Sequence, residues 1–423
     1  MARTITETSN RYDQPHRPLP IALLNGAGKF AARLGFAPKL EVESLLAAAR
    51  RKTGLSDFGE MWFLEPLKVL VESMNREANL TTLGVLIQQG RIVDALANRL
   101  RIEALCKKHP EILHIDLGKI IVIAGLQRTG TTTLHRLLAA DPAMRSLISW
   151  EALNPVPLEG EKPGEPTARI NKAKLAEKGL AYLAPEFFAI HPVEFDAPEE
   201  DILLLDLSFM TQSPEAIMQV PSYAKWLEQA DTTNAYRYLK KTLQVLHFQR
   251  PAQNWVLKTP HHMEYLDTLL AVFPQATIVQ THRDPQKTMG SFCSMVAHGR
   301  GVFSDQVDAR EVARHWTRKV ERMMRRSMAV REQHGAQCID VAYEALVKNP
   351  MGELERIYRF AGLPFTEAAQ KAVAATQEKN RQHRYGRHVY HLEDFGLSKA
   401  AIESQFGFYR NHYRIPHESS RGE

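Results

Sequence analysis

The sequence predicts an α/β protein, with a three-layer α/β/α P-loop-like core on a parallel sheet and a helical N-terminal region. Three observations predict it. Residues 119–134, KIIVIAGLQRTGTTTL, run from a β-branched stretch through a glycine turn into a helix start. Further short apolar runs at 255–257, 277–281 and 337–341 alternate with helical stretches, the pattern of a parallel sheet. The first 115 residues carry helical periodicity and no strand pattern.

Taken in order, residues 1–20 read as disordered and 21–115 as almost wholly helical. The amphipathic stretches fall at 40–51 (LEVESLLAAARR) and around 63–74, and 83–105 also reads as helix, with charged and apolar residues in alternating blocks. This region holds no chemical motif, and is expected to pack on the α/β core or to wall an acceptor site. The α/β domain spans 116–423. Within it, 151–250 reads as a helical insertion behind the turn-rich loop 160–166 (GEKPGEP). A nucleotide-binding fold places its substrate cover at such an insertion. A fourth strand at 337–341 is followed by helices at 351–361 and 365–378.

The loop after the first strand carries the strongest signal. Gly125 and Gly130 have the G-x-x-x-x-G spacing of a phosphate loop, but Thr131 stands where that motif needs its lysine. A strand–loop–helix of this kind aims backbone N–H groups and a helix N-terminus at an anion. Without the lysine, a Mg-triphosphate enzyme is disfavoured, while Arg128 keeps a fork of charged donors in the loop. A second motif follows the strand at 277–281, where His282-Arg283-Asp284-Pro285 is followed by Ser291, eight residues beyond Arg283. If Pro285 opens a helix, that spacing is roughly two turns, so Arg283 and Ser291 can clamp one phosphate together. An Arg-Asp-Pro met alone is usually a solvated loop, and a lone glycine turn is often only a turn. Their order and strand contexts together are harder to reach by accident.

This pair of motifs resembles the sulfotransferase family that uses 3′-phosphoadenosine 5′-phosphosulfate (PAPS), over roughly residues 115–365 and closest to its bacterial branch. The resemblance implies that Arg128, Thr129, Gly130, Thr131, Thr132 and Thr133 hold the 5′-phosphosulfate, and that Arg283 and Ser291 hold the 3′-phosphate. Lys258, at the end of the strand 255–257, is the candidate to neutralise the bridging oxygen as charge develops there. Cytosolic members carry a Lys-Thr-x-His-like segment whose histidine is the general base. Lys258-Thr259-Pro260-His261 is similar with one inserted proline, which leaves His261 and His262 as rivals. The segment 190–201, IHPVEFDAPEED, supplies another candidate base in His191, with Glu200 as its partner. Asp196 or Pro198 can instead cap an apolar helix at 202–210, with the glutamates in its first turn. The adenine-stacking tryptophan and the late Arg-Lys-Gly loop of the cytosolic pattern are absent. The segment 380–396 can stand in for them, through Arg387 and His388 at a phosphate and a tyrosine at the base.

Composition narrows the field further. Of 423 residues, 44% are apolar and 24% charged, as in ordinary globular proteins, and the +6 formal charge suits an anionic ligand. The basic residues are dispersed, without the aromatic interleaving of a nucleic-acid binder. Cys106, Cys293 and Cys338 have no short spacing, so neither a disulfide framework nor a zinc site is expected, and no metal is assigned. No apolar run approaches the ~18 residues of a membrane helix, and no secretory signal is visible, which favours a cytoplasmic enzyme. The expected activity is sulfuryl transfer from PAPS to a hydroxyl or amine of a small, hydrophobic acceptor, such as a lipid-like alcohol. The alternatives are a P-loop kinase or NTPase, and a non-catalytic nucleotide-binding protein. The acceptor and the oligomeric state are not legible.

Overall fold

The computed structural model describes Thr8 and residues 11–36, 38–162, 164–379 and 388–418. Five parallel strands form its single sheet in the order β2-β3-β1-β4-β5. They are β1 (Lys119–Ile123), β2 (Met144–Ser146), β3 (Asn254–Lys258), β4 (Thr277–His282) and β5 (Cys338–Ala342). Four of them fall on the predicted runs, β3 and β4 extended by a residue or two and β5 shifted by one. The short edge strand β2 was not predicted, because MRS has neither length nor a β-branched residue to mark it.

β1 pairs with β3 on one side, Ile123 opposite Lys258, and with β4 on the other, Ile123 opposite Val279. The chain leaves β1 toward β2 and β3, then crosses to β4 and β5. β1 therefore borders the point where the winding reverses, the crevice where open parallel sheets bind ligands. Its residues Ile121, Val122 and Ile123 are fully buried, as a strand covered on both faces must be.

The N-terminal region forms helices at Leu19–Arg33, Val42–Thr53, Leu64–Glu77 and Thr82–Lys108. Thr81 caps the last of these by accepting from the Gly84 N–H at 3.0 Å. The last three of these helices share one continuous apolar core with the sheet, since Leu46, Phe63, Leu67 and Leu96 join the cluster that contains Val122, Trp255 and Ile278. Arg99 is buried in it, its guanidinium 4.0 Å from the rings of both Phe63 and Tyr238, with Nη1 donating to the Leu207 carbonyl at 3.0 Å.

The expectation of disorder over 1–20 needs correction for residues 11–18. Tyr12 is buried against Phe395 and His298, and its hydroxyl donates to Ser294 Oγ at 3.0 Å. Arg17 pairs with Asp305 at 3.0 Å. One aromatic and one arginine suffice to pin a polar stretch that lacks any periodicity of its own. The 202–210 expectation changes as well. The α-helix is only Ile202–Leu205, followed by a 3₁₀ turn at Asp206–Ser208 and a left-handed Phe209 with φ 58°. Among the described residues no helix is long and apolar enough to cross a membrane, and the three cysteines are free and buried.

Candidate active site

The loop from β1 to the helix Thr131–Leu138 is shaped by two left-handed residues, Arg128 (φ 67°) and Gly130 (φ 89°). An arginine in that region costs on the order of 1 kcal/mol, and here it is held at both ends. Its carbonyl accepts from Arg283 Nη1 at 3.2 Å, and its Nε donates to Ser291 Oγ at 2.9 Å. Thr129 is buried beneath the turn, its Oγ1 donating to the Leu126 carbonyl at 2.6 Å and lying 2.5 Å from Thr281 Oγ1. Gly125 is obligatory, because a Cβ there would lie 1.9 Å from Thr281 Oγ1. Thr132 and Thr133 are exposed in the first helical turn, where backbone N–H groups have no partner within the helix.

The second motif closes on the first. Asp284 caps the helix Pro285–Phe303 through the Gln286 N–H at 2.9 Å, and Ser291 lies on its buried face. Ser291 Oγ meets both Arg128 and His388 Nδ1, the latter at 3.3 Å, and His388 Nε2 reaches Ser294 Oγ at 3.0 Å. Burial, reinforced by Arg128, lowers the His388 pKa to about 3, so the ring is neutral. Arg283 lies on the Tyr343 ring at 3.9 Å and is gripped by Glu418, Nε to Oε1 at 2.8 Å and Nη2 to Oε2 at 2.9 Å. Arg128, Arg283, Ser291 and His388 thus form one connected cluster, in which Ser291 is bound to Arg128 and His388, and Arg283 joins through the Arg128 carbonyl. Arg387 lies outside the described residues.

The acid–base groups gather at the end of β3. Lys258 is buried, and its Nζ lies 2.5 Å from Glu200 Oε1. Its backbone N–H donates to Asp201 Oδ1 at 2.8 Å, while Asp201 Oδ2 lies 2.8 Å from His262 Nε2. His262 Nδ1 in turn meets the Tyr236 hydroxyl at 2.9 Å. Both nitrogens of His262 are therefore engaged in a fully buried chain. Asp201 is the residue that directly precedes the helix at 202, and its carboxylate serves Lys258 and His262 rather than the helix N-terminus. Neither Asp196 nor Pro198 is the cap.

His261 is also buried, but neither ring nitrogen finds a partner among the described residues, and the ring packs on Tyr265 at 4.7 Å. Burial pushes its pKa well below the ordinary value. His191 sits differently. It follows the helix Pro185–Ile190 and is half-buried. Burial lowers its pKa most, Glu199 and Glu200 pull it up, and Lys258 and Arg128 push it down. The charges that act on His191 are thus those of Glu199, of the Lys258–Glu200 pair and of Arg128 in the anion loop. Its segment is stitched to the end of β2: Glu199 N–H donates to the Leu147 carbonyl at 2.9 Å, and Glu199 Oε2 accepts from Ser149 Oγ at 3.2 Å.

Three residues here were missed in the sequence. His135 is buried, with its pKa lowered to about 3 by burial and by Lys258, and its Nε2 has no partner among the described residues. It lies four residues past Thr131 on the same helix face, a spacing that could have flagged it. Asp201 stood in view within the acid run, but nothing local assigns its partners. Glu418 carried no signal, since only the folded chain brings it to Arg283. Among the described residues no group of three or more His, Cys, Asp or Glu side chains is placed to hold a metal ion.

Comparison with known proteins agrees with this architecture. A model of the sulfotransferase family matches residues 121–367. The crystal structure of sulfotransferase STF1 from Mycobacterium tuberculosis H37Rv is 32% identical, covering 87% of this chain and 99% of that one, with a TM-score of 0.77. Sulfotransferase STF9 from Mycobacterium avium is 27% identical, with 89% and 98% covered and a TM-score of 0.81. None of the curated protein sequences compared matches. The fold and the matched region define a P-loop-like α/β transferase. The chain belongs to the sulfotransferase family.

Proposed function

We propose that the protein transfers the sulfuryl group of PAPS to a hydroxyl or amine of a small acceptor, without a metal. The observation that carries this reading is the cluster of Arg128, Arg283, Ser291 and His388 around a lysine-free anion loop, with Lys258 and Arg128 both acting on His191. The first-turn N–H groups and hydroxyls of Thr131 to Thr133 face the 5′-phosphosulfate, and Arg128 supplies charge there. Arg283 and Ser291 take the 3′-phosphate. Glu418 now occupies the Arg283 fork, so nucleotide binding exchanges one anion for another at that guanidinium.

In the transfer, the acceptor oxygen forms a bond to sulfur while the bond from sulfur to the bridging phosphate oxygen breaks. Lys258 leaves Glu200 to neutralise that oxygen, and fixed cations do what a metal does in phosphoryl transfer. His191 removes the acceptor proton. Its lowered pKa keeps it unprotonated at neutral pH, and Glu200 is placed to stabilise the imidazolium once formed. Neither ring nitrogen of His261 has a hydrogen-bond partner among the described residues, and His262 is bound at both nitrogens, which favours His191 among the three.

Calorimetry with 3′-phosphoadenosine 5′-phosphate (PAP), with and without magnesium, tests the donor assignment. Magnesium-independent binding that Arg283→Ala weakens at least tenfold is expected. Binding that requires magnesium, or no binding at all, sinks it.

A further inference from the structure

The helix Leu19–Arg33 is held firmly on one side and bare on the other. Its inner side is fixed by Asn25, which is buried and accepts from the Leu83 N–H at 3.1 Å. Gly28 lets the helix sit close on Thr82, since a Cβ there would lie 1.7 Å from Thr82 Oγ1. Arg17, just before the helix, and Lys29 within it both pair with Asp305, at 3.0 and 2.9 Å. A helix anchored in this way has a fixed outward side.

That outward side is apolar. Leu19, Leu23, Phe30 and Leu34 are each at least 60% exposed. At about 100° per residue they fall within an arc of about 60°, and Gly26 and Ala27 beside them are exposed as well. Asn25 lies on the opposite side, and Phe36, just past the helix, is 76% exposed. An ordinary surface helix turns its apolar stripe to the core and its polar face to water, and this one does the reverse. Between Asp13 and Glu41 the chain carries Arg17, Lys29, Arg33 and Lys39 and no carboxylate. Lys29 and Arg33 are exposed along one edge of the apolar stripe. The occupant must therefore accept large apolar side chains and bring negative charge beside them. A second copy of the chain does not, because a symmetric pair lays this segment against itself, cation against cation. The surface of a bilayer with anionic headgroups does, its acyl boundary taking the leucines and phenylalanines and its phosphates the cations. At 15 residues the helix is too short to cross a bilayer, which takes about 20, so it lies in the interface.

We propose that this helix docks the protein on the surface of a membrane containing anionic lipid. Leu19, Leu23, Phe30, Leu34 and Phe36 enter the headgroup–acyl boundary, and Lys29 and Arg33 meet the phosphates. The inference is independent of the donor and the base assigned above, and no nucleotide enters its test.

Co-sedimentation of the full chain is measured with vesicles of phosphatidylcholine alone and of phosphatidylcholine with one third phosphatidylglycerol. Wild type is expected to bind the anionic vesicles, and the neutral ones at least tenfold more weakly. The double variant Leu23→Ser/Phe30→Ser changes only exposed side chains and should weaken anionic-vesicle binding at least tenfold with the melting temperature unchanged. Arg33→Gln removes one charge, worth about fivefold on anionic vesicles, and carries the test if the double variant does not fold. Leu113→Ser, an exposed leucine just past the other end of the helix Thr82–Lys108, should bind as wild type does. Light scattering on the same samples reports self-association. The inference is overturned if wild type binds neither vesicle, if the variants of the helix bind as wild type does, or if Leu113→Ser loses as much as they do. It is also overturned if wild type is a dimer that the double variant dissociates while vesicles go unbound, which would give the face to a second copy.

Discussion

At the scale of single residues, the site is decided by which polar atoms are left with work to do. Lys258, His191, Glu200 and Arg128 influence one another, whereas His261 is a neutral ring in the core and His262 a strut between Asp201 and Tyr236. His191→Gln is therefore expected to lower kcat by about 10²–10⁴-fold, the usual contribution of a general base, with PAP affinity unchanged. The pH profile gives an independent check. Because the His191 pKa is lowered, the base stays neutral below its ordinary 6.5, so kcat/KM should hold its plateau below pH 6.5 and fall only on further acidification. An acid limb centred above 6.5 would contradict the assignment, as would a His261→Gln variant equally impaired yet equally stable. The loop and Arg283 were legible from sequence because their chemistry is local: a turn, a helix start, a strand end. The base was not, since three histidines stand within reach on paper and only burial separates them.

At the scale of elements, the C-terminal strap and the N-terminal helices do what no motif announces. The strap is fixed by Arg410, whose Nη2 pairs with Asp284 Oδ1 at 2.7 Å, and by the Glu418 N–H on Asp284 Oδ2 at 2.9 Å. It thereby places the Glu418 carboxylate on the Nε/Nη2 edge of the Arg283 fork. A bidentate carboxylate is the nearest protein mimic of a phosphate, so Glu418 competes with the 3′-phosphate. Glu418→Gln should tighten PAP binding by several-fold to about tenfold, or up to ~1.4 kcal/mol, measured by calorimetry beside wild type. Weaker binding would mean that Glu418 holds Arg283 in place for the ligand instead. The helix Thr82–Lys108 depends on its cap, Thr81. Thr81→Ala should destabilise the chain by about 1 kcal/mol in denaturant unfolding. The helices of 21–115 were visible by their period, yet their fusion into the sheet's core was not. Period says that a face is buried but never against what.

At the scale of the molecule, a buried ion cluster ties the insertion to the site-bearing strand. Lys319 has no exposed surface and lies 3.2 Å from Glu215, 3.2 Å from Glu228 and 3.1 Å from Glu264. Glu215 and Glu228 belong to the insertion, and Glu264 follows the 3₁₀ turn Pro260–Met263 beyond β3. Arg322 and Arg318 supply the remaining positive charge, at 2.5 Å from Glu264 and 2.7 Å from Glu228. Three carboxylates thus meet Lys319 and two arginines, with His315 Nε2 also 2.8 Å from Glu215 Oε2, and Lys319→Met takes the shared cation out of this buried cluster. Breaking a buried pair in this way costs about 3–5 kcal/mol. The pH dependence follows from the Glu228 carboxyl, where burial favours the neutral form but Arg318 and Lys319 outweigh it and hold the pKa at about 2, against 4.5 ordinarily. A depressed carboxylate stabilises the fold above its unfolded pKa, and that contribution fades as pH falls from about 4.5 toward 2. Wild-type stability should therefore drop through that window. The gap between wild type and Lys319→Met should be largest at pH 7 and should shrink toward pH 3, as protonation removes the carboxylates' need for the lysine. A gap that stays constant with pH would show that the variant's cost is lost packing rather than lost charge.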